Sequence, residues 1–182
     1  MNNYRFTADT HFNHSNIIKY SNRPFKDAKE MDKELIKRWN EKCNNQSLVY
    51  HLGDVFFSND IRYFDDIISQ LNFERLVVIR GNHDRCFDDW MKSRRPKNIH
   101  FYGSHYETKV NAHDFTLNHY AMRVWNKSHH GAYHLYGHSH GTLPDLPESR
   151  SFDVGVDCHN YYPLTFEEVM EIMAKKTWKS PY

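Results

Sequence analysis

The stretch Leu76-Val77-Val78-Ile79-Arg80-Gly81-Asn82-His83-Asp84, LVVIRGNHD, runs an unbroken apolar segment straight into a polar cluster that starts at a glycine. Four adjacent branched apolar residues bounded by turn chemistry predict a short strand over residues 76–79, buried on both faces. Upstream, residues 47–52, SLVYHL, predict a second strand that stops at Gly53-Asp54. Between them, residues 59–71 carry Ile61, Phe64, Ile67, Ile68 and Leu71 at helical spacing, with Asn59 as the expected N-cap. Strand, helix, strand is an α/β arrangement.

Towards the N-terminus, residues 4–8 predict a strand that leads into Asp9-Thr10-His11. Residues 27–43 place Met31, Leu35, Ile36, Trp39 and Cys43 on one face of an amphipathic helix. The second half is richer in strands, expected at residues 99–102, 106–110, 115–118, 132–136 and 151–156. Residues 165–178 close the chain as a helix, with a capping box from Thr165 and Glu168 and a buried stripe of Phe166, Val169, Met170 and Met173. No repeat or Gly/Ser linker interrupts the sequence, and 182 residues suit one domain, 1–182, with a real core.

Composition narrows the partners. Lysine and arginine number 24 against 23 acids, so no global field draws the protein to nucleic acid or to an anionic membrane. Cys43, Cys86 and Cys158 have no Cys-x-x-Cys spacing, which argues against a disulfide framework or a thiolate zinc ribbon. No basic start with an apolar h-region and no run of about 18 apolar residues is found, so a soluble, cytoplasmic protein is expected. The exception to this plain composition is histidine, with 14 copies, many beside Gly, Asp or Asn.

Five polar clusters fall where predicted strands end: Asp9-Thr10-His11, Gly53-Asp54, Gly81-Asn82-His83-Asp84, Asn118-His119 and Gly137-His138-Ser139-His140. In open α/β sheets such ends share one edge, so distant residues converge there. Carboxylates, an amide carbonyl and imidazoles without thiolate make a mixed N/O site for Mn, Fe, Zn, Ni or Co. There are too many ligands for one tetrahedral zinc, and two ions account for them better.

In that order, Asp-x-His, Gly-Asp, Gly-Asn-His-Asp, a single His and Gly-His-x-His resemble the calcineurin-like metallophosphoesterase superfamily, from about Tyr4 to Asp157. Residues 9–18 and Arg23-Pro24-Phe25 resemble its compact bacterial and phage type without a cap domain. The resemblance implies a four-layer α/β/β/α sandwich. It also implies two divalent transition-metal ions, with Mn favoured in vitro: one on Asp9, His11 and His140, the other on Asn82, His119 and His138, and Asp54 bridging. His83 then stands beside the ions to contact the phosphate and assist the leaving oxygen, and a metal-bridging hydroxide attacks a phosphomonoester or phosphodiester.

The run Gly53-Asp54-Val55-Phe56-Phe57-Ser58-Asn59 departs from the protein phosphatases of that superfamily, which continue x-x-Asp-Arg-Gly after Gly-Asp. Phe57 stands where their histidine-orienting aspartate would be, which argues against a phosphoprotein phosphatase and leaves His83 without an assigned partner. Arg123, His14 and Asn13 are the candidate substrate contacts, with Arg85 and Asn160 weaker ones. The expected substrate is a small phosphoester such as a nucleotide. The alternatives are a metal-dependent nuclease using a strip of Lys92, Arg94, Arg95 and Lys97, and a catalytically silent scaffold of the same fold. His51, His100, His105, His113, His129, His130, His134 and His159 are assigned to structure or surface.

Overall fold

The computed structural model describes residues 3–181, and two sheets organise them. Strands β1 (Asn3–Thr7), β2 (Ser47–His51), β3 (Arg75–Ile79) and β4 (Ile99–Tyr102) run parallel in the order β4-β3-β2-β1, and the two-residue β9 (Leu164–Thr165) adds antiparallel to β1. The second sheet is β5 (His105–Val110), β6 (His113–Asn118), β7 (Tyr133–Tyr136) and β8 (Ser151–Asp153), antiparallel between β5 and β6 and parallel thereafter. The β5–β6 hairpin closes through Asn111 and Ala112, both at positive φ (46° and 68°), the backbone a two-residue type I′ turn needs.

Strand alternation sorts the core into two layers. Val49, Leu76 and Val78 point out of the first sheet into a cluster with Met31, Leu35 and Trp39 of α2 (Ala28–Lys42), Phe64 and Ile67 of α3 (Ile61–Gln70), and Phe87 and Trp90 of α4 (Arg85–Arg94). Their neighbours Tyr50, Leu52, Val77 and Ile79 point the other way and meet Phe115, Leu117, Tyr133 and Leu135 between the sheets. Both faces of the parallel sheet are thus buried, as the continuous apolar LVVI run requires. The helix α5 (Phe166–Ala174) adds Val169 and Met173 to the inter-sheet cluster. The outer side of the second sheet is covered by the segment around Trp125, whose indole packs on His134 and donates to the carbonyl of Ala132. The α/β sandwich expected from the resemblance is therefore present, with a thin final layer. Among the described residues, no helix is long and apolar enough to cross a membrane.

Several element boundaries differ from the sequence reading, each for a local reason. The N-cap of α3 is Asp60, whose carboxylate accepts the backbone N–H of Arg62, and Asn59 lies outside the helix. The closing helix ends at Ala174 rather than Trp178, because the N–H groups of Thr177 and Lys179 pair with the carbonyls of Pro147 and Glu148. The strand expected at 151–156 stops at Asp153, whose side chain takes the N–H of Gly155 and turns the chain. The short α1 (Ser15–Tyr20), α4 and β9 have no counterpart in that reading.

One buried group lies apart from the strand ends. Asp32 on α2 is 4% exposed, accepts the backbone N–H of Asn13 and the hydroxyl of Tyr63, and desolvation pushes its carboxyl up to about 6. An acid whose folded pKa is raised binds more protons folded than unfolded, so its contribution to stability falls as pH rises from about 4 to about 6. Asp32→Asn removes that slope: in chelator, urea midpoints should show the variant gaining on wild type by roughly 2–3 kcal/mol between pH 4 and pH 7.5. A stability difference that does not change with pH would contradict this.

Candidate metal centre

The loops that follow β1, β2, β3, β6 and β7 meet at one edge of the sandwich. Backbone bonds lace them together: Asp9 N–H to Gly53 O (3.0 Å), His11 N–H to Asp54 O (3.0 Å), Gly137 N–H to His119 O (3.0 Å) and Val156 N–H to Ala8 O (3.0 Å). Five of the expected ligands hold left-handed backbone there: Asp9 (φ 58°), His11 (51°), Asp54 (56°), His138 (67°) and His140 (47°). Asp and His tolerate that region better than most residues, yet each such residue still costs about 1–2 kcal/mol. The geometry persists because the surrounding packing leaves no other path.

Side-chain ligand atoms of Asp9, His11 and His140 lie within 4.8 Å of one another, and so do those of Asp54, His119 and His138. In the first group, Asp9 Oδ1 and His11 Nε2 are fully buried and have no hydrogen-bond partner. Burial, then the nearby carboxylates of Asp153 and Asp54, push the Asp9 carboxyl up, while burial and the neighbouring Arg23 hold the His11 imidazole down. His140 Nδ1 donates to Asp157 Oδ2 at 2.7 Å, which turns its other nitrogen towards the group.

The second group is more open, with His138 and Asn82 exposed. His119 Nδ1 lies 2.8 Å from the carbonyl of Leu52, which only accepts, so Nδ1 carries the hydrogen. Burial holds the His119 pKa near 4, so the ring is neutral and its Nε2 is a bare acceptor. That nitrogen faces Asn82 Oδ1 at 3.0 Å and Asp54 Oδ2 at 3.5 Å. Acceptors turned on one another without a hydrogen between them are the signature of a cation site, and the donor set suits a divalent transition metal. Asp54 Oδ2 is also 3.5 Å from His11 Nε2, so one carboxylate oxygen faces both groups.

Three residues hold this arrangement in roles the sequence reading did not assign. Asp84 is buried and accepts the backbone N–H groups of Asp54, Val55 and Gly81, each at 2.8 Å, which clamps the β2 and β3 loops together. Arg23 forms a bidentate pair with Asp157 (2.8 and 2.8 Å) and donates to the carbonyls of Asp9 (2.7 Å) and Thr10 (3.0 Å). Asp157 is the carboxylate that orients His140; although burial raises it, the bonds from His140 and Arg23 hold its pKa below the usual range. Gly81 sits so close to Asp54 that a Cβ there would collide with the Asp54 carboxylate and its backbone nitrogen.

A cleft opens onto both groups and is lined by His83, His14, Tyr20 and Phe57 as well as by His11 and Asp54. The backbone N–H of His83 donates to Asp54 Oδ1 at 2.9 Å, and its ring lies 5.6 Å from that of His11 and 5.3 Å, edge-on, from that of Phe57. His14 is buried and stacks on Phe57 at 3.8 Å. Arg123 is exposed and lines a different cavity, beside Trp125, Leu146 and Trp178, so it does not join the cleft. The side of Asn13 faces the hollow beside Asp32 and Tyr63 instead. Arg85 begins α4 on the surface, and Asn160 offers its carbonyl to Arg38. The expected basic strip is partly neutralised, with Arg94 bound to Asp65 and Lys92 to Asp88.

Residues 5–148 match the calcineurin-like phosphoesterase superfamily domain. An uncharacterized protein of Methanocaldococcus jannaschii is 33% identical over 175 residues, 92% of this chain and 89% of that one. The gene 66 protein of Mycobacterium phage D29 is 23% identical over 95% of this chain and 96% of its own length. A solved protein of unknown function from Aquifex aeolicus superposes with a TM-score of 0.69 at 18% identity, covering 93% of this chain and 98% of that chain, a likeness of fold.

Asp157→Asn keeps an acceptor for Arg23 but weakens the anchor of His140. We expect calorimetric titration of the chelator-stripped protein with Mn²⁺ to show affinity at the Asp9–His11–His140 group reduced about 10–100-fold. Affinity at the other group should be nearly unchanged; an equal loss at both would refute the local role of Asp157.

Proposed function

The chain belongs to the calcineurin-like phosphoesterase superfamily, and on that premise we propose that it is a binuclear-metal phosphoesterase acting on a small phosphomonoester or phosphodiester, through one domain of residues 1–182. The observation that carries this reading is the meeting of acceptors: Asp9 Oδ1 and His11 Nε2, buried without a hydrogen-bond partner, on one side, His119 Nε2 facing Asn82 Oδ1 on the other, with Asp54 facing both. Asp9, His11 and His140 would hold one ion, and Asn82, His119 and His138 the other, with Asp54 shared. Two divalent ions at such positions supply an activated water at neutral pH and neutralise the oxygens of the phosphoryl group. Mn²⁺ is the favoured ion for assay.

The chain's own groups do the rest. Asp54 is fixed from two directions, by the N–H of His83 on Oδ1 and by Asp84 through its backbone, so it holds its place between the two groups. His83 stands exposed on the cleft with no ion pair to a carboxylate among the described residues, where a ring nitrogen would give a proton to the departing oxygen. Phe57 restrains that ring by edge contact, a weaker guide than the aspartate used by the protein phosphatases of the superfamily. A near-neutral chain with Lys92 and Arg94 of its basic strip paired to acids favours a small substrate over long DNA.

Chelator-stripped protein reloaded with Mn²⁺, Ni²⁺, Zn²⁺ or Fe²⁺ should hydrolyse bis-p-nitrophenyl phosphate or p-nitrophenyl phosphate. Failure with every metal, on these esters and on a nucleotide panel, would leave the silent scaffold as the reading. Asp54→Asn should abolish turnover and weaken both metals, whereas His83→Ala should slow turnover about 10²–10⁴-fold with metal content retained. Loss of metal from His83→Ala would place that imidazole among the ligands.

A further inference from the structure

The segment around Trp125 that covers the second sheet also walls a cavity of about 870 Å³, a size suited to a small ligand. Three stretches of chain enclose it: residues 121–128, which follow His119, residues 143–150, which follow His140, and residues 177–181. The last of these is held in place. The N–H groups of Thr177 and Lys179 donate to the carbonyls of Pro147 and Glu148 at 2.9 and 3.1 Å, and the Arg150 guanidinium lies 4.9 Å from the ring of Trp178.

The lining is apolar and stands open to solvent. Leu146 is 64% exposed, Leu143 45% and Val124 43%, and all three border this one cavity. Scattered apolar residues need no explanation, whereas a grouped set marks a binding surface. Ser128 borders the cavity too; it is 1% exposed, and its buried hydroxyl has no hydrogen-bond partner among the described residues. An unpaired buried hydroxyl is unfavourable, and a polar ligand atom that reaches it removes the penalty.

Charge is unbalanced in the same place. Lys179 pairs with Glu148 at 2.5 Å, so those two cancel. Arg150 donates to the carbonyl of Gly131, which leaves its charge in place, and Arg123 has no hydrogen bond or ion pair among the described residues. Surplus cations beside an apolar lining complement an anion carried on an apolar body.

We propose that this cavity is a second ligand site, for a small organic anion with a hydrocarbon body: its carboxylate or sulfonate meets Arg123 and Ser128, and its hydrocarbon lies against Leu143, Leu146 and Trp178. The site stands apart from the metal centre, since no residue of the two ligand groups lines it, and it holds whatever that centre does. Two of its walls nevertheless run directly from His119 and His140, so an occupant touches the chain a few residues from both groups.

Octane-1-sulfonate and 1-octanol, each added to the Mn²⁺-loaded full chain, test this by tryptophan emission, because Trp125 and Trp178 line the cavity while Trp39 and Trp90 lie in the core beneath α2 and α4. Wild type should show a saturable blue shift and bind the sulfonate about tenfold more tightly than the alcohol, the ratio one hydrogen bond to a charged group contributes. Arg123→Gln, at an exposed position, should bring the two affinities within about twofold, and Ser128→Ala should weaken sulfonate binding about two- to tenfold. No saturable shift, equal affinities in wild type, or a preference unchanged in Arg123→Gln would overturn the site. Sedimentation of wild type as a dimer and of Leu146→Asp as a monomer would assign the face to a second copy of the chain, and the ligand site would fall.

Discussion

One buried carboxylate decides how the strand ends meet. Asp84 takes three backbone hydrogens, from Asp54, Val55 and Gly81, and so joins the loop after β2 to the loop after β3 at a fixed distance. Burial pushes its pKa up to about 6, an unfavourable setting that the three N–H groups offset, since without it those donors would be buried and unpaired. The position of Asp54 between the two ligand groups follows from this clamp. So does the aim of the His83 N–H, which lies on the same turn.

Strain accompanies the convergence. A regular strand end would carry Asp9, His11, Asp54, His138 and His140 onward in extended backbone, with alternate side chains on opposite faces. Left-handed φ values bend each segment so that side chains from both sheets point at a common centre. The cost is offset by packing around the turns, where Gly137 would bring a Cβ within 2.6 Å of Asp9 Oδ2. For the GHSH segment the outcome is a division: His138 faces Asp54 and His119, while His140 faces Asp9 and His11.

The candidate ligand groups were legible because their spacing carries chemistry: Asp-x-His, Gly-Asp and Gly-His-x-His are written locally, and only their convergence had to be inferred. The parallel sheet was legible from the apolar run at residues 76–79 and from helical periodicity in α2 and α3. What escaped depends on single residues with distant partners. Asp157 and Arg23 gain meaning only from a contact across 134 positions, and α4 shows two buried residues, Phe87 and Trp90, among charges that read equally well as a surface strip. Arg123 looked close to the site by sequence, yet the chain around Trp125 turns away to cover the second sheet.

The Arg23–Asp157 pair also bears on how the protein is made. Arg23 is 4% exposed and bound to the carbonyls of Asp9 and Thr10, so the loop after β1 is held by a cation whose counter-charge is encoded 134 positions later. β1 likewise gains its outer neighbour only when residues 164 and 165 arrive. Without Asp157 the buried guanidinium lacks its carboxylate, and the loop that carries Asp9 and His11 lacks the pair that closes it. The geometry of that loop is thereby completed only when a residue 134 positions later joins it.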